Sequence, residues 1–319
     1  MNFFLNLFVS AILLGCTYTL VAISNCLFFS VLDMIVYCVG EIAVFGAFAI
    51  ISSYIVISNL GLAGVISTPL MIALVLAIAS VLCVILCLIT YRTSVRPFEG
   101  GDTLMPLLST IALGLVIKEF LGLGFKSVTT AITGPLTRVD VPMTISGGRN
   151  PQAMPRLLTG GAANSDLIII GVTVLIVVAL FVFLNKTKAG LSMQAVAQNK
   201  ELAFMTGVNV KRVINVTFII GGVLAAVGGF LFGSYQAVIR FDTGTMYGSK
   251  GFAAAVVGGM KNIWGAIIGG MLMGFVEVFV SGLFDGGTRY QNVIAFVVAI
   301  IFMILKPAGI LGEKTVEKV

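Results

Sequence analysis

A chain of 319 residues that is 59% hydrophobic and only 10% charged departs from soluble domains, which average about half apolar and about a quarter charged, so water is not its main solvent. Its net charge of +6 comes from lysines and arginines placed singly between apolar runs, which excludes the clustered basic face of a nucleic-acid binder. With no histidine anywhere, imidazole metal ligands, histidine proton relays and histidine-dependent catalytic triads are excluded too.

Taken in chain order, the apolar runs predict an all-α polytopic membrane protein, a single transmembrane domain over 1–319. A span needs about 20 apolar residues to cross a hydrocarbon core of about 30 Å. Eight full spans are expected, at 3–30, 42–57, 69–89, 104–123, 167–184, 213–238, 263–283 and 293–305, the last short unless it borrows Tyr290, Gln291 and Asn292. No basic residue precedes Arg92, so a cleaved signal peptide is not expected. The five cysteines, Cys16, Cys26, Cys38, Cys83 and Cys87, lie in or beside apolar runs without the paired spacing of a metal or redox site, and read as small core residues.

Between the spans lie two loops of different character. The stretch 126–166, rich in Gly, Pro, Ser and Thr, reads as an external loop. Lys186, Lys188, Lys200, Lys211 and Arg212 crowd the loop 186–212, which the excess of basic residues on cytoplasmic loops places inside, together with Arg92, Arg96 and the tail carrying Lys306, Lys314 and Lys318. Crossing parity then requires something between 238 and 263 to traverse the membrane. The stretch 251–262, containing Gly258 and Gly259, is proposed as a broken or half helix, and 31–40, followed by Glu41, holds a similar place in the first half. With these two short or broken segments there are ten in all and both termini inside. Paired short segments point to a central transport pathway.

Ionisable residues at membrane depth cost about 2.5 to 3.5 kcal/mol even on lenient insertion scales, so they are informative. Asp33, Glu41, Lys118, Glu119 and Glu277 qualify. Lys118 and Glu119 are adjacent, so they do not face each other on a helix, and snorkelling relieves their cost. Glu41 and Glu277 either bond backbone amides or line a polar cavity. The candidate pathway set is therefore Val36, Tyr37, Val39, Gly40, Glu41, Gly258, Gly259 and Glu277. Glycine is abundant, with 37 residues, and the pairs Gly229/Gly233, Gly265/Gly269 and Gly270/Gly274 read as close helix packing within the chain. In the loop 186–212, good helix formers from Met193 to Met205 predict one helix stopped by Gly207, and its apolar residues Ala195, Leu202, Ala203 and Met205 suit a partner surface better than lipid.

That loop carries a resemblance. The run from Ala195 to Asn199, Ala203, and Gly207 to Val213 are similar to the cytoplasmic loop of bacterial branched-chain amino-acid ABC permeases of the LivH type. The likeness runs in order along nearly the whole chain: Thr17 to Ile23, Gly40-Glu41, Arg96-Pro97, Phe252 to Gly259, Gly265 to Gly270, and Lys306 to Gly312. Three places depart from the family pattern, one of them Lys118-Glu119, which stands where uncharged amides are common. Gln194 stands where members usually carry Arg, and Val36 to Gly40 lacks the Asn and His of Asn-Phe-Ala-His-Gly, where the family's substrate path is expected.

The resemblance implies a type II ABC-importer fold and import of branched-chain amino acids, with urea or short amides as the alternative solute. It implies a second homologous permease, two cytoplasmic ATPase subunits and an external or periplasmic substrate-binding protein as partners, in a bacterial inner membrane. Gln194, Ala195, Ala197, Gln198, Asn199, Glu201, Ala203 and Gly207 are the residues expected to couple to the ATPase. Enzyme chemistry, a metal site and a cofactor are not expected: no Gly-x-x-x-x-Gly-Lys-Ser/Thr loop cradles a nucleotide, and Gly244 to Lys250 fails on spacing. An ion-coupled secondary transporter would suit the short segments, but the partner-like loop argues against it.

Overall fold

The computed structural model describes residues 2–59, 68–98, 104–122, 139–140, 164–236, 238–283 and 287–312. Most of the external loop expected at 126–166, and the tail lysines Lys314 and Lys318, lie outside them.

The regular structure of the described residues is helical apart from two antiparallel two-residue strands, β1 (Val139–Asp140) and β2 (Val238–Ile239). Its helices are α1 (Asn2–Leu32), α2 (Val39–Asn59), α3 (Thr68–Thr90), α4 (Leu104–Phe120), α5 (Asn164–Lys186), α6 (Lys188–Gln198), α7 (Lys200–Met205), α8 (Val210–Gln236), α9 (Thr243–Gly258), α10 (Ile263–Leu283) and α11 (Gly287–Leu305). A π turn at Tyr91–Val95 and a 3-10 turn at Arg96–Phe98 extend α3. Among the described residues, five helices are long and apolar enough to cross a membrane. The protein is membrane-integral and predominantly helical.

Two central helices organise the rest. α1 and α8 are mostly buried, whereas α3 and α5 turn most of their apolar surface outward, the arrangement expected when lipid rather than water surrounds the bundle. α1 lies antiparallel to α10: Leu7 meets Gly282, Gly15 meets Gly274, and Thr19 meets Gly270. A Cβ on Gly270 would lie 2.6 Å from the Thr19 Cα, so the Gly270/Gly274 pair is what lets these backbones touch. Gly265 and Gly269 do the same against Gly258 and Ala254 of α9, and Gly229 of α8 rests on the Ala43 carbonyl. Gly265/Gly269 and Gly270/Gly274 therefore pack helices within the chain, as does Gly229. Rings fill the wider gaps, with Phe218 between Phe28 (4.7 Å) and Tyr91 (5.0 Å), and Phe232 stacked on Tyr247 at 4.1 Å.

The span boundaries differ from the hydropathy pattern where capping and turns, not apolar content, decide. α11 starts at Gly287, so the last run does borrow Tyr290 to Asn292. The stretch 31–40 is not a membrane segment of its own: α1 runs to Leu32, Asp33 turns in the left-handed region (φ 53), and a non-helical link leads to α2 at Val39. The stretch 251–262 divides between the end of the 16-residue α9 and a turn at Gly259 (φ 111). That turn is sealed by the C-terminal strap, where Ile310 N donates to Val257 O (2.9 Å) and Leu311 N to Gly258 O (3.1 Å).

Candidate functional site

The loop 186–212 forms two helices, not the single one expected. Asn199 adopts an extended conformation (φ −159, ψ 114) that ends α6, and its side-chain oxygen accepts from Glu201 N (2.9 Å) and Leu202 N (3.1 Å), capping α7. The other end closes on Gly207 (φ 84), where Val208 N bonds Ala203 O and Gly207 N bonds Phe204 O, both at 3.0 Å. This reciprocal pair is the glycine-terminated helix stop. Thr187 caps α6 in the same way, accepting from Gly190 N at 3.0 Å. Each short helix is therefore held by its own ends.

The break decides which residues face outward. On α6, Met193 and Val196 are buried against the bundle while Leu191, Gln194 and Gln198 are exposed, and Ala195 and Ala197 are half-buried. On α7, Ala203 is turned inward with 4% of its surface exposed, so it belongs to the chain's own packing rather than to the outer face. Asn199, Glu201 and Gly207 are exposed. Leu202, Phe204 (73% exposed) and Met205 (80% exposed) project away. Phe204 was missed by sequence reasoning because its orientation depends on the Asn199 break.

A second constellation surrounds α9, whose helical period gives it distinct faces. Tyr247, Lys250 and Gly251 face α1 and α10. Lys250 Nζ lies 2.6 Å from Glu277 Oε1 on α10, and Tyr18 OH donates to Glu277 Oε2 at 2.7 Å. Lys250 also reaches Tyr18 OH at 3.3 Å, and Tyr247 OH donates to Thr17 O at 2.7 Å. Lys250 and Glu277 are both 5% exposed. Glu277 thus neutralises a lysine; no local signal in the sequence paired them, since 27 residues separate the two.

The next face of α9 meets the link between α1 and α2. Gly40 packs on Gly244 and Gly248, and the Tyr37 ring lies 6.4 Å from that of Phe252. Tyr37 N donates to Thr110 Oγ1 on α4 at 3.2 Å. Val36, Val39 and Gly40 are buried, and Tyr37 is half-buried. Glu41, in the first turn of α2 and 5% exposed, sits against Gly114 of α4, where a Cβ would stand 3.4 Å from its Oε2. The helix N-terminus favours a carboxylate there. Lys118, one turn beyond Gly114, is the cation acting on it. Thr245 lies beside this carboxylate, yet neither Glu41 Oε2 nor Thr245 Oγ1 is in hydrogen-bond geometry with any described residue.

A third face of α9, with Thr245, Ser249, Phe252 and Val256 at helical spacing, is half-exposed, and Met246 beside it is 50% exposed. Tyr37 and Glu41 therefore meet the start and middle of α9. Gly258 and Gly259 sit at its far end, about 20 Å along the helix at 1.5 Å per residue, and Glu277 lies on the face toward α10. All five cysteines are buried and unpaired, as core residues would be. No group of metal-ligating side chains occurs among the described residues.

Residues 7–303 match the family model described as the permease component of branched-chain amino acid transport systems. The chain is similar to the high-affinity branched-chain amino acid transport system permease protein BraD of Pseudomonas aeruginosa, 30% identical over 99% of this chain and 98% of the relative. Similarity to the permease protein LivH of Escherichia coli K12 is also 30%, with the same coverage of both chains. The chain is also similar to the probable branched-chain amino acid transport permease protein LivH of Methanocaldococcus jannaschii, 26% identical over 84% of this chain and 81% of the relative.

Proposed function

The chain belongs to the permease components of branched-chain amino acid transport systems, and from that premise we propose that it is one of two membrane-spanning subunits of an ATP-driven importer of leucine, isoleucine and valine. Two cytoplasmic ATPases dock beneath it, a second homologous permease packs beside it, and an external or periplasmic binding protein delivers the solute. It is a multi-pass protein of the bacterial inner membrane with a type II importer fold. The catalytic step, ATP hydrolysis, belongs to the ATPase subunits.

The observation that carries this reading is the exposed apolar tip of α7. Leu202, Phe204 and Met205 are exposed on a capped helix in the same loop as Lys186, Lys188, Lys211 and Arg212. The basic residues favour the cytoplasmic side, and three large apolar side chains clustered there suit a protein partner. Gln194, Gln198, Asn199 and Glu201 are exposed polar residues of the same arm, and Ala195 and Ala197 are half-buried in α6.

Orientation follows from that side. α1 ends where Lys200 of α7 begins, so its first residue faces outward, while the strap 306–312 faces the cytoplasm. Nine of the described helices then cross: the eight full spans and the shorter α9. The start of α1 and the strap 306–312 then lie on opposite sides, not both inside as expected, because the link 33–38 turns the chain back toward the outside. The half-exposed stripe of α9 carries Ser249 at membrane depth beside Tyr37, and Thr245 at its start turns its hydroxyl inward toward Glu41. Such groups line water-filled cavities or partner interfaces, which supports a solute pathway between the two permeases. ATP binding closes the ATPases, the α6–α7 arm moves, and this pathway opens first outward and then inward.

The test is Phe204→Ala and Met205→Ala together. The doubly altered permease is expected to insert normally and to lose copurification of the ATPase and uptake of radiolabelled leucine in vesicles. Normal ATPase retention with both side chains removed would refute the docking surface.

A further inference from the structure

Asp33 is the only non-glycine residue with positive φ among the described residues, and it closes α1 with its N–H on Phe29 O at 2.9 Å. Aspartate and asparagine tolerate this left-handed conformation better than other side chains. Its carboxylate is shared by two lysines from distant parts of the chain. Lys261 Nζ, in the turn between α9 and α10, lies 2.9 Å from Oδ1, and Lys200 Nζ, the first residue of α7, lies 3.6 Å from Oδ2. Lys200 Nζ also donates to Leu32 O, the Ser30 hydroxyl donates to Lys261 O at 3.4 Å, and Lys261 stands 5.9 Å over the Phe29 ring.

Three elements therefore converge on one carboxylate, and each leads elsewhere. From Lys200, α7 carries the exposed tip. From Asp33, a five-residue link reaches Val39, with Tyr37 in it and Glu41 just beyond. Lys261 follows three residues after the end of α9, the helix that forms the other wall beside Tyr37 and Glu41. We infer that Asp33 is the junction through which movement of the ATPase-docked arm reaches both walls of the solute pathway. All three side chains are partly exposed, so the contacts form and break without burying a bare charge. This inference rests on the docking role proposed for α7. Asp33 is a positioning residue: it touches neither solute nor nucleotide.

The experiment compares solute moved per ATP hydrolysed by the assembled transporter, reconstituted with its ATPases and binding protein, for the unaltered chain and for Asp33→Asn, Lys200→Gln, Lys261→Gln and Asp33→Asn/Lys200→Gln. Asn keeps the backbone conformation and removes the charge. Asp33→Asn is expected to retain the ATPase and its basal hydrolysis while the solute-to-ATP ratio falls about fivefold, the scale of two modest ion pairs lost together. Each lysine variant alone is expected to lower the ratio about twofold, and the double variant to be no worse than Asp33→Asn, because one contact is lost only once. Should Asp33→Asn not assemble, the twofold change at Lys261→Gln decides. An unaltered ratio, or additive losses in the double variant, overturns the junction while leaving the docking surface intact. Loss of ATPase copurification in Asp33→Asn also overturns it, because Asp33 would then serve docking itself; failure of the docking surface would show separately in the Phe204/Met205 variant.

Discussion

Replacing Lys250 with methionine isolates what the buried pair does. The side chain keeps most of its volume and loses its charge, leaving Glu277 with the Tyr18 hydroxyl as its remaining partner. Lys250 and Glu277 are each 5% exposed and 2.6 Å apart, so the attraction and the desolvation of both charges are near their largest. Removing one member of such a pair costs about 3–5 kcal/mol, whereas replacing both with apolar residues of similar size is often neutral or stabilising. Against a typical total of about 5–15 kcal/mol the single change is severe. At about 2–4 °C per kcal/mol it corresponds to a drop on the order of 10 °C in melting midpoint. The assay is thermal denaturation of the detergent-purified permease for Lys250→Met, Glu277→Leu and the two combined. The singles should melt well below the unaltered chain and the combination should return to within about 2 °C, as expected for a pair whose members are costly chiefly when alone. Equal melting of Lys250→Met and the unaltered chain would refute the pairing, and failure of the combination to recover would mean that the charges matter for more than each other.

Other expectations follow from the arm and from the orientation. Asn199→Ala removes the acceptor of two backbone N–H groups and should destabilise α7 by about 0.5–2 kcal/mol, seen as faster hydrogen exchange over 200–205 with α6 unchanged. Ala203→Trp should act on this chain's own stability, because the position faces inward, and overpacking it should cost about 1–3 kcal/mol; an unaltered melting midpoint together with loss of the ATPase would return Ala203 to the partner surface. Single cysteines at Glu201 and Asp242, in a background freed of the five native thiols, should be labelled by a membrane-impermeant maleimide from opposite sides. Labelling of position 201 in intact cells would reverse the orientation.

Hydropathy found the long helices because burial in lipid is read from apolar content alone. The expected span at 263–283 coincides with α10, and 213–238 falls within three residues of α8 at each end. It was blind to breaks set by single residues. Asn199 divides one expected helix into two because a short polar side chain competes for backbone N–H groups, and Asp33 turns the chain because its carboxylate finds two cations far away in sequence. The candidate site was partly legible for the same reason. Glu41 and Glu277 stood out as isolated charges in apolar runs, but Lys250 did not, lying among glycines and small polar residues where nothing marked it as buried. Gly258 and Gly259 were grouped with Glu41 because both fall in short segments of the two halves, and they make the turn at the end of α9 far from the end that meets Glu41.

The one-residue break at Asn199 has a consequence for how such transporters diversify. α6 is anchored in the bundle by Met193 and Val196, whereas α7 is a six-residue plug with a cap at either end and three large apolar side chains on its outer surface. On the proposed docking role, the recognition of an ATPase is written in a cassette that touches neither Tyr37 nor Glu41. Mutations at 202, 204 and 205 can then change which engine is accepted while the cargo stays the same, and the pathway residues can drift toward another solute without a matching change in the engine. Partner choice and cargo choice are separable traits in this chain, inherited together only because one polypeptide carries both.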